Sequence, residues 1–376
     1  MPTRKKISLP LLILLLVTLT ACQTNWAINL TEGDNTVGSI TRENVEFYID
    51  HSDEEIKAVP LGQFFYANSY SLIDQIVVTS ESSDPMTFTW DEIAEATTLS
   101  PEGELVVGDA AYQPISIEVT RSERLAEIEM SILDISPTIL QALGLPALPD
   151  AEGQPQLTSS AQRAVIILTD GTQYDKLQSM VASRELPFFA SQAKINCGIS
   201  VYPPITTSAS AALFTGTIPA HNGVYGYGYR STELTTLIDI ITKNDGSVIA
   251  VEGASLPFNL RNAEIILSGD RDNNGFSDDN VFMNAMDVTQ NELPDLLYIH
   301  FHEIDDMGHE YGENSTEYET ALIRVDQYIA QIVAELPEGT LIVILADHGM
   351  HTTADGGNHG TLTAADMLIP VTLIQK

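Results

Sequence analysis

The 376-residue chain holds only two cysteines, Cys22 and Cys197. Two thiols cannot build a disulfide framework or a cysteine-rich metal cluster, so any bound metal relies on other donors. Basic residues are scarce as well: 17 Lys+Arg stand against 52 Asp+Glu, a formal net charge of −35. That balance excludes a basic groove for nucleic acid. Anionic partners must be drawn in locally, against the field of the whole protein.

The apolar run at the amino terminus is too short to span a membrane. MPTRKKISLPLLILLLVTLTAC has a basic start in Arg4, Lys5 and Lys6, a short apolar stretch, then Leu19-Thr20-Ala21-Cys22. This pattern is a secretory signal over residues 1–22. Its ending resembles the bacterial lipobox, which implies a lipid on Cys22 and an exported protein anchored to the cell envelope, facing outside the cytoplasm. Removing the three basic residues of the leader leaves 14 Lys+Arg against 52 Asp+Glu, a formal charge of −38. Only Cys197 then remains, and no intrachain disulfide can form.

About 350 mature residues suggest two domains. Residues 23–38 read as a polar tether. From about 40 to 120, VEFYID, DQIVVTS and MTFTW read as strands and WDEIAEATTL as a short helix, a small α+β module. LGQFFYANSYSLIDQIVV resembles small molybdopterin-domain-like modules without their cysteine. The region 23–120 carries no catalytic cluster, so a spacer or binding role is expected. Residues 121–376 are expected to be the catalytic domain, of α/β class with a mostly parallel central sheet and helices on both faces.

The chemistry-bearing residues follow apolar strands. RAVIILTDG is an unbroken apolar segment delivering Asp170 at its end, and in an open α/β sheet that end is where ligands bind. YPPITTSASAALFTG leaves Pro203-Pro204 for small helix-compatible residues, placing Thr206 and Thr207 at the N-cap or first turn. A hydroxyl there lies beside free N–H groups and the positive end of the helix dipole, a ready phosphate site. DLLYIHFHEIDDMGHEYG brings Asp305 and, four residues on, His309; TLIVILADHGM ends in Asp347-His348; GGNHG sets His359 among glycines. Asp170, Thr206, Asp305, His309, Asp347, His348 and His359 together compose a two-metal site for phosphoryl transfer. Mixed carboxylate and imidazole donors suit Zn²⁺ best and also accept Mn²⁺ or Fe²⁺. Of the other histidines, His221 is expected in a turn, His300 and His302 alternate along one strand face, and His351 lies near the site without binding metal. GDRDNNGFSDDN carries Asp270, Asp272, Asn274 and Asp278 at calcium-loop spacing, with Gly275 at the sharp turn and Asp279 as an alternative ligand. Position 12 of that loop is Val281 rather than an acidic residue.

Over residues 163–376 the order Asp, Thr, Asp-xxx-His, Asp-His, His resembles the alkaline phosphatase superfamily, and within it the type I phosphodiesterase/nucleotide pyrophosphatase group and its metal-dependent mutase relatives. The resemblance implies one metal held by Asp170, Thr206, Asp347 and His348 and another by Asp305, His309 and His359. It also implies Thr206 as nucleophile, nine residues before Thr215-Gly216, with Thr207 the runner-up. The expected function is an exported two-metal hydrolase of phosphate esters, a phosphodiesterase or phosphatase working through a phosphothreonine. A phosphomutase or phosphomonoesterase would use the same groups, and a non-catalytic, lipid-anchored binding protein would be expected to have lost some. A sulfatase is disfavoured, since the nucleophile region lacks Cys/Ser-x-Pro-x-Arg.

Three departures stand out. About twenty residues past the nucleophile, phosphodiesterases of the group have an asparagine; Tyr227 stands there, so Tyr227 or Arg230 is expected to contact the phosphate. Only a short segment separates His348 from His359, leaving the site open on that side and assigning substrate contacts to residues 225–290. Lastly, MSILDISPTILQALGLPALPDAEGQP, within 121–155, resembles the element that ends many superfamily members yet precedes the core, a natural permutation. A strand at Glu129–Leu133 is then expected near Ile369–Ile374, with the helix Pro137–Leu143 covering the sheet.

Overall fold

A computed structural model describes residues 26–50, 55–81, 83–271 and 273–376. Cys22, Asp272 and the leader lie outside these residues. The main body is an eight-stranded sheet in the spatial order Met130–Ser131, Asn196–Ile199, Leu368–Gln375, Thr340–Leu345, Arg163–Thr169, Leu296–Phe301, Val248–Glu252, Glu264–Leu267. Every neighbouring pair is parallel except those made by Leu368–Gln375, which runs against both of its neighbours. The fold is α/β with helices on both faces, as the apolar runs imply.

Alternation along each strand explains the two faces. Ala164, Ile166 and Leu168 face one hydrophobic core with Leu341, Val343 and Tyr298, whereas Val165 and Ile167 face the other with Ile342 and Ile299. The first core is covered by helices Ile135–Leu143, Thr206–Thr215 and Leu237–Lys243, and the second by Tyr174–Ser183, Asp278–Asn291 and Thr316–Glu335. A strand with no polar side is stable only between two such layers, each fully buried Val, Leu or Ile contributing about 1.5–3 kcal/mol. All the parallel strands therefore end on one edge, and their following loops converge there.

Met130–Ser131 pairs with Asn196–Ile199, which pairs with Leu368–Gln375. The segment thus sits next but one to the terminal strand rather than beside it. Helix Ile135–Leu143 packs on the sheet at Arg163–Thr169 and Thr340–Leu345. Gly144 at φ 68° ends that helix in the left-handed conformation a glycine adopts most cheaply.

The amino-terminal module differs from expectation in two places. Residues expected as a tether form a hairpin, Ala27–Glu32 with Asn35–Thr41, at the edge of a five-stranded sheet. VEFYID lies in a helix, Arg42–Asp50, not a strand. Val45 is buried, Tyr48 and Ile49 pack on the same core at i+3 and i+4, and Arg42 reaches Glu46 at 2.7 Å. Helical spacing overrides β propensity there. DQIVVTS and the MTFT of MTFTW fall in strands Ile73–Ser80 and Ser83–Thr89, and Trp90 opens a helix only four residues long. The module's core includes Cys197, Tyr202, Leu362, Met367 and Leu368 from the larger body, so the two share one apolar interior. Among the described residues no helix is long and apolar enough to cross a membrane.

Candidate metal centre

Asp170 follows the strand Arg163–Thr169, and Gly171 turns the chain with φ 66°. A Cβ on Gly171 would lie 2.6 Å from Asp305 Oδ1, so only glycine lets these two carboxylates approach. The Gly171 amide donates to Asp347 Oδ1 at 3.2 Å, and the His348 amide donates to the same oxygen at 3.0 Å. Thr206 is the first residue of its helix. Its Oγ1 lies 3.4 Å from Asp170 Oδ1 and 3.2 Å from His348 Nε2. Thr207, one residue on, is buried with an unpartnered hydroxyl. Thr215 closes that helix with Gly216 as its left-handed cap.

Asp305 and His309 occupy one face of helix Glu303–Tyr311, their Oδ2 and Nε2 atoms 3.3 Å apart. His359 arrives from the short hairpin His351–Thr353 with Gly356–Asn358, and its Nε2 is 3.8 Å from Asp305 Oδ1. A Cβ on Gly356 would fall 2.2 Å from the His309 carbonyl, so that hairpin can lie against the helix only with glycine there. The His359 ring stacks on His348 at 3.8 Å and lies 4.9 Å from His309. All seven expected residues converge in one place.

The donor chemistry fits divalent cations. His348, His359 and His309 each donate Nδ1–H to a backbone carbonyl, of Gly349 at 2.9 Å, Pro204 at 3.0 Å and Gly357 at 3.2 Å. A carbonyl can only accept, so all three rings keep a proton on Nδ1 and turn Nε2 toward the carboxylates, where it would be a ligand to a cation. Asp305 Oδ1 and Asp347 Oδ2 are buried without a hydrogen-bond partner. Buried oxygens are rarely left unpaired without a reason. Three groups among the described residues have ligand atoms close enough to hold an ion: Asp305 with His348 and His359, Asp170 with Asp347 and His348, and Asp170 with His300 and His302.

Without a cation, protons take its place. Burial, then the neighbouring Asp170 charge, pushes Asp347 up to about 7. Burial opposes a charge on His348, but Asp347 and then Asp170 outweigh it and raise the ring to about 9. Burial and then His348 lower His359 to about 4, so it stays neutral as a ligand must.

A second layer was missed in the sequence. His300 is buried, with Nε2 3.1 Å from Asp170 Oδ2 and Nδ1 3.2 Å from Glu252 Oε1. His302 repeats the pattern, 3.3 Å from Asp170 Oδ2 and 3.0 Å from Glu252 Oε2. Burial works against charge on both rings, yet the two carboxylates prevail, raising His300 to about 9 and His302 well above its ordinary value. The pair therefore balances Asp170 and Glu252 and leaves Asp170 Oδ1 facing Thr206. The two histidines do share one face, as expected, but that face carries a charge network rather than idle side chains. His-x-His at a strand end and Glu252 ending the neighbouring strand were the available signals.

Tyr227 is half exposed at the edge of the centre, its hydroxyl raised by burial and then by Asp305, Asp170 and Asp347. Arg230 instead donates to the carbonyls of Tyr227 at 3.2 Å and Leu256 at 3.0 Å, which ties the loop down and turns the guanidinium to structural use. The calcium-loop reading loses Asp278. It is fully buried and accepts the amides of His302 and Glu303 at 2.9 Å each, capping the helix that bears Asp305. Asp270 accepts the amides of Asn274 and Gly275, and Asn274 donates to Asp279 at 2.7 Å. His351 joins Asp366 at 2.8 Å and Glu95 at 3.6 Å, and His221 sits by Glu152 at 3.1 Å.

The profile of the type I phosphodiesterase / nucleotide pyrophosphatase family matches residues 164–247 and 254–368, more than half of the chain. GPI ethanolamine phosphate transferase 3 of Saccharomyces cerevisiae is 29% identical over 156 residues, 35% of this chain and 15% of that protein. GPI ethanolamine phosphate transferase 2 of Schizosaccharomyces pombe is 26% identical over 286 residues, 64% of this chain and 36% of its own length. The chain thus spans well under half of either curated relative. Murine ectonucleotide pyrophosphatase / phosphodiesterase 5 superposes with a TM-score of 0.41 or less at 16–18% identity, covering 51% of this chain and 58% of that one.

Proposed function

Because the chain belongs to the type I phosphodiesterase / nucleotide pyrophosphatase family, we propose that it hydrolyses phosphate esters through a phosphothreonine on Thr206. One observation carries the reading: the Thr206 hydroxyl opens a helix and lies between Asp170 Oδ1 and His348 Nε2, beside carboxylate oxygens with no partner. Divalent cations on these donors, Zn²⁺ by donor type, supply Lewis acidity and lower the pKa of the hydroxyl.

The residues do the rest. The helix N-terminus presents free amides and a positive dipole to the phosphoryl oxygens. The charge network behind Asp170 fixes Oδ1 next to the nucleophile. Thr206 Oγ1 gives up its proton to solvent and attacks phosphorus in line, and the ester oxygen leaves with its electron pair and takes up a proton from solvent. Water then attacks the phosphothreonine, Thr206 recovers its proton, and two inversions give net retention. Tyr227 donates to a phosphoryl oxygen from the rim.

A metal-loaded preparation assayed on paired 4-nitrophenyl phosphate mono- and diesters tests this. Release of nitrophenol by the wild type but not by Thr206→Ala supports the reading, and equal release by both sinks it. Transfer to an alcohol is a second reading, favoured by the curated relatives that are phosphate transferases. Added alcohol captured as a new ester would identify it. Export rests on the leader, and Cys22→Ala should move the protein from the membrane to the soluble fraction; unchanged fractionation would overturn lipid anchoring.

A further inference from the structure

A cavity of about 620 Å³ lies between the amino-terminal module and the metal centre. Phe47, Tyr48 and Val59 line it from the module, and Tyr202, Tyr225 and Tyr227 from the larger body. Among the described residues no charged side chain lines it. Its size falls in the ordinary range for a small-molecule site. Resting on the phosphate-ester reading, we propose that this cavity takes the uncharged hydrocarbon part of the substrate, an aromatic or aliphatic alcohol esterified to the phosphate, with the module as its outer wall.

Continuity with the metal centre is the first argument. Pro203 in the wall adjoins Pro204, whose carbonyl holds the His359 ring, and Gly360 in the wall follows His359. A phosphate held at Thr206 therefore has this cavity beside it. Rigidity is the second. Trp90 Nε1 donates to the Leu362 carbonyl at 3.0 Å, Asn358 donates to Glu95 at 2.7 Å, and the Tyr66 and Tyr202 rings meet at 5.6 Å. These bonds fix the module on the hairpin that carries His359, so its wall is held in place before any ligand arrives.

Charge is the third argument. In a chain with 52 acidic and 17 basic residues, the described residues put no cation in this cavity and offer nothing to a second anionic group. Phe47, Tyr225 and Tyr227 are 52%, 38% and 54% exposed at the rim, apolar surface that an apolar ligand would cover. Among the described residues, a nucleoside with many hydrogen-bonding edges would meet only tyrosine hydroxyls, backbone and Gln63.

The test compares 4-nitrophenyl diesters whose second alcohol is methyl, benzyl, octyl or thymidine, using metal-loaded protein. The benzyl or octyl ester should exceed the methyl ester in kcat/KM by on the order of 30-fold, from the apolar area buried; which of the two leads separates a ring from a chain. Phe47→Ala and Tyr225→Ala should each shrink that ratio at least fivefold, and Met283→Ala, on an exposed helix position elsewhere, should leave it unchanged. Calorimetric titration with benzylphosphonate and methylphosphonate reads the cavity without turnover, and the benzyl compound should bind at least tenfold tighter. A benzyl and octyl advantage below threefold, ratios unmoved by both cavity variants, equal phosphonate affinities, or a faster thymidine ester each overturn the proposal. Failure to turn over even the methyl ester overturns the hydrolase reading instead, and the phosphonate titration still decides the cavity.

Discussion

Asp239 and Asp347 are both buried aspartates on the same α/β body, and the fold treats them in opposite ways. Asp239 accepts from the Thr236 amide at 2.9 Å, from Asn262 at 2.9 Å and from Arg261 at 2.6 Å. Burial alone would raise it, but Arg261 and then Thr236 hold it down at about 2. Asp347 receives two backbone amides on Oδ1 and, among the described residues, no hydrogen bond on Oδ2, which only faces His348 Nε2 at 3.4 Å, and it is pushed up to about 7. The chain can satisfy a buried carboxylate when that carboxylate is structural. Leaving Asp347 and Asp305 each with an oxygen that has no hydrogen bond is destabilising by itself, and a cation bound as proposed would complete both. Perturbed carboxylates of this kind gather at functional sites.

The largest expected effect lies at the nucleophile. Thr206→Ala should lower kcat by on the order of 10⁴-fold or more, the scale seen when a nucleophile is removed. Bound metal, measured by elemental analysis, should remain. Thr207→Ala should stay active, since its hydroxyl contacts neither Asp170 nor His348. The reverse outcome would move the nucleophile by one residue.

Asparagine at each member of the aspartate comparison should separate function from stability. Asp347→Asn should lose metal and turnover, yet raise the melting temperature above that of the EDTA-treated wild type, because the amide removes a charge facing Asp170. Asp239→Asn should keep turnover and lose about 2 kcal/mol, the scale of charged hydrogen bonds with Arg261. If Asp347→Asn melts lower than the metal-free wild type, Asp347 is structural and the contrast collapses.

A smaller effect is expected behind Asp170. His302→Gln should cost roughly 10–100-fold in metal affinity or kcat, as loss of a ligand's outer partner does. Its folding should hold, because a glutamine can still donate to Glu252. Unchanged metal affinity and rate would leave His302 without a part in the metal centre.

What the sequence revealed, and what it hid, follows from distance along the chain. RAVIILTDG and TLIVILADHGM are unbroken apolar runs longer than a turn and shorter than a helix, so strand, burial on both faces and a carboxylate at the end could all be read locally. The Thr206 helix start was legible from two prolines followed by small residues. His300 and His302 were visible as a pair on one face, but their partners Asp170 and Glu252 lie about 130 and 50 residues away. No spacing rule connects them; only the parallel pairing of the strands does. VEFYID misled because its β-branched and aromatic residues also fit a helix once Val45, Tyr48 and Ile49 have a core to meet. The cavity needed two segments whose facing surfaces exist only after the module docks.

The subtlest test of the aspartate comparison is pH. In metal-free protein the folded-state value of Asp347 lies above its unfolded value near 4, so folding takes up a proton and this contribution to stability is lost as pH rises from about 4 to about 7. His348, raised to about 9, acts in the same direction: its contribution is present below about 6.5 and lost as pH climbs through 9. Asp239 has the opposite sign, its contribution present above about 4 and lost as pH falls toward 2. Metal binding requires ionised Asp347 and a neutral ring at His348, so the cation should reverse the first two effects and leave the third alone. Melting temperatures of EDTA-treated and metal-loaded protein should therefore draw apart steadily from pH 5 to 8, and both should fall together below pH 4. Parallel curves across the upper range would mean that Asp347 already has a partner, and that its bare oxygen is not the mark of a metal site.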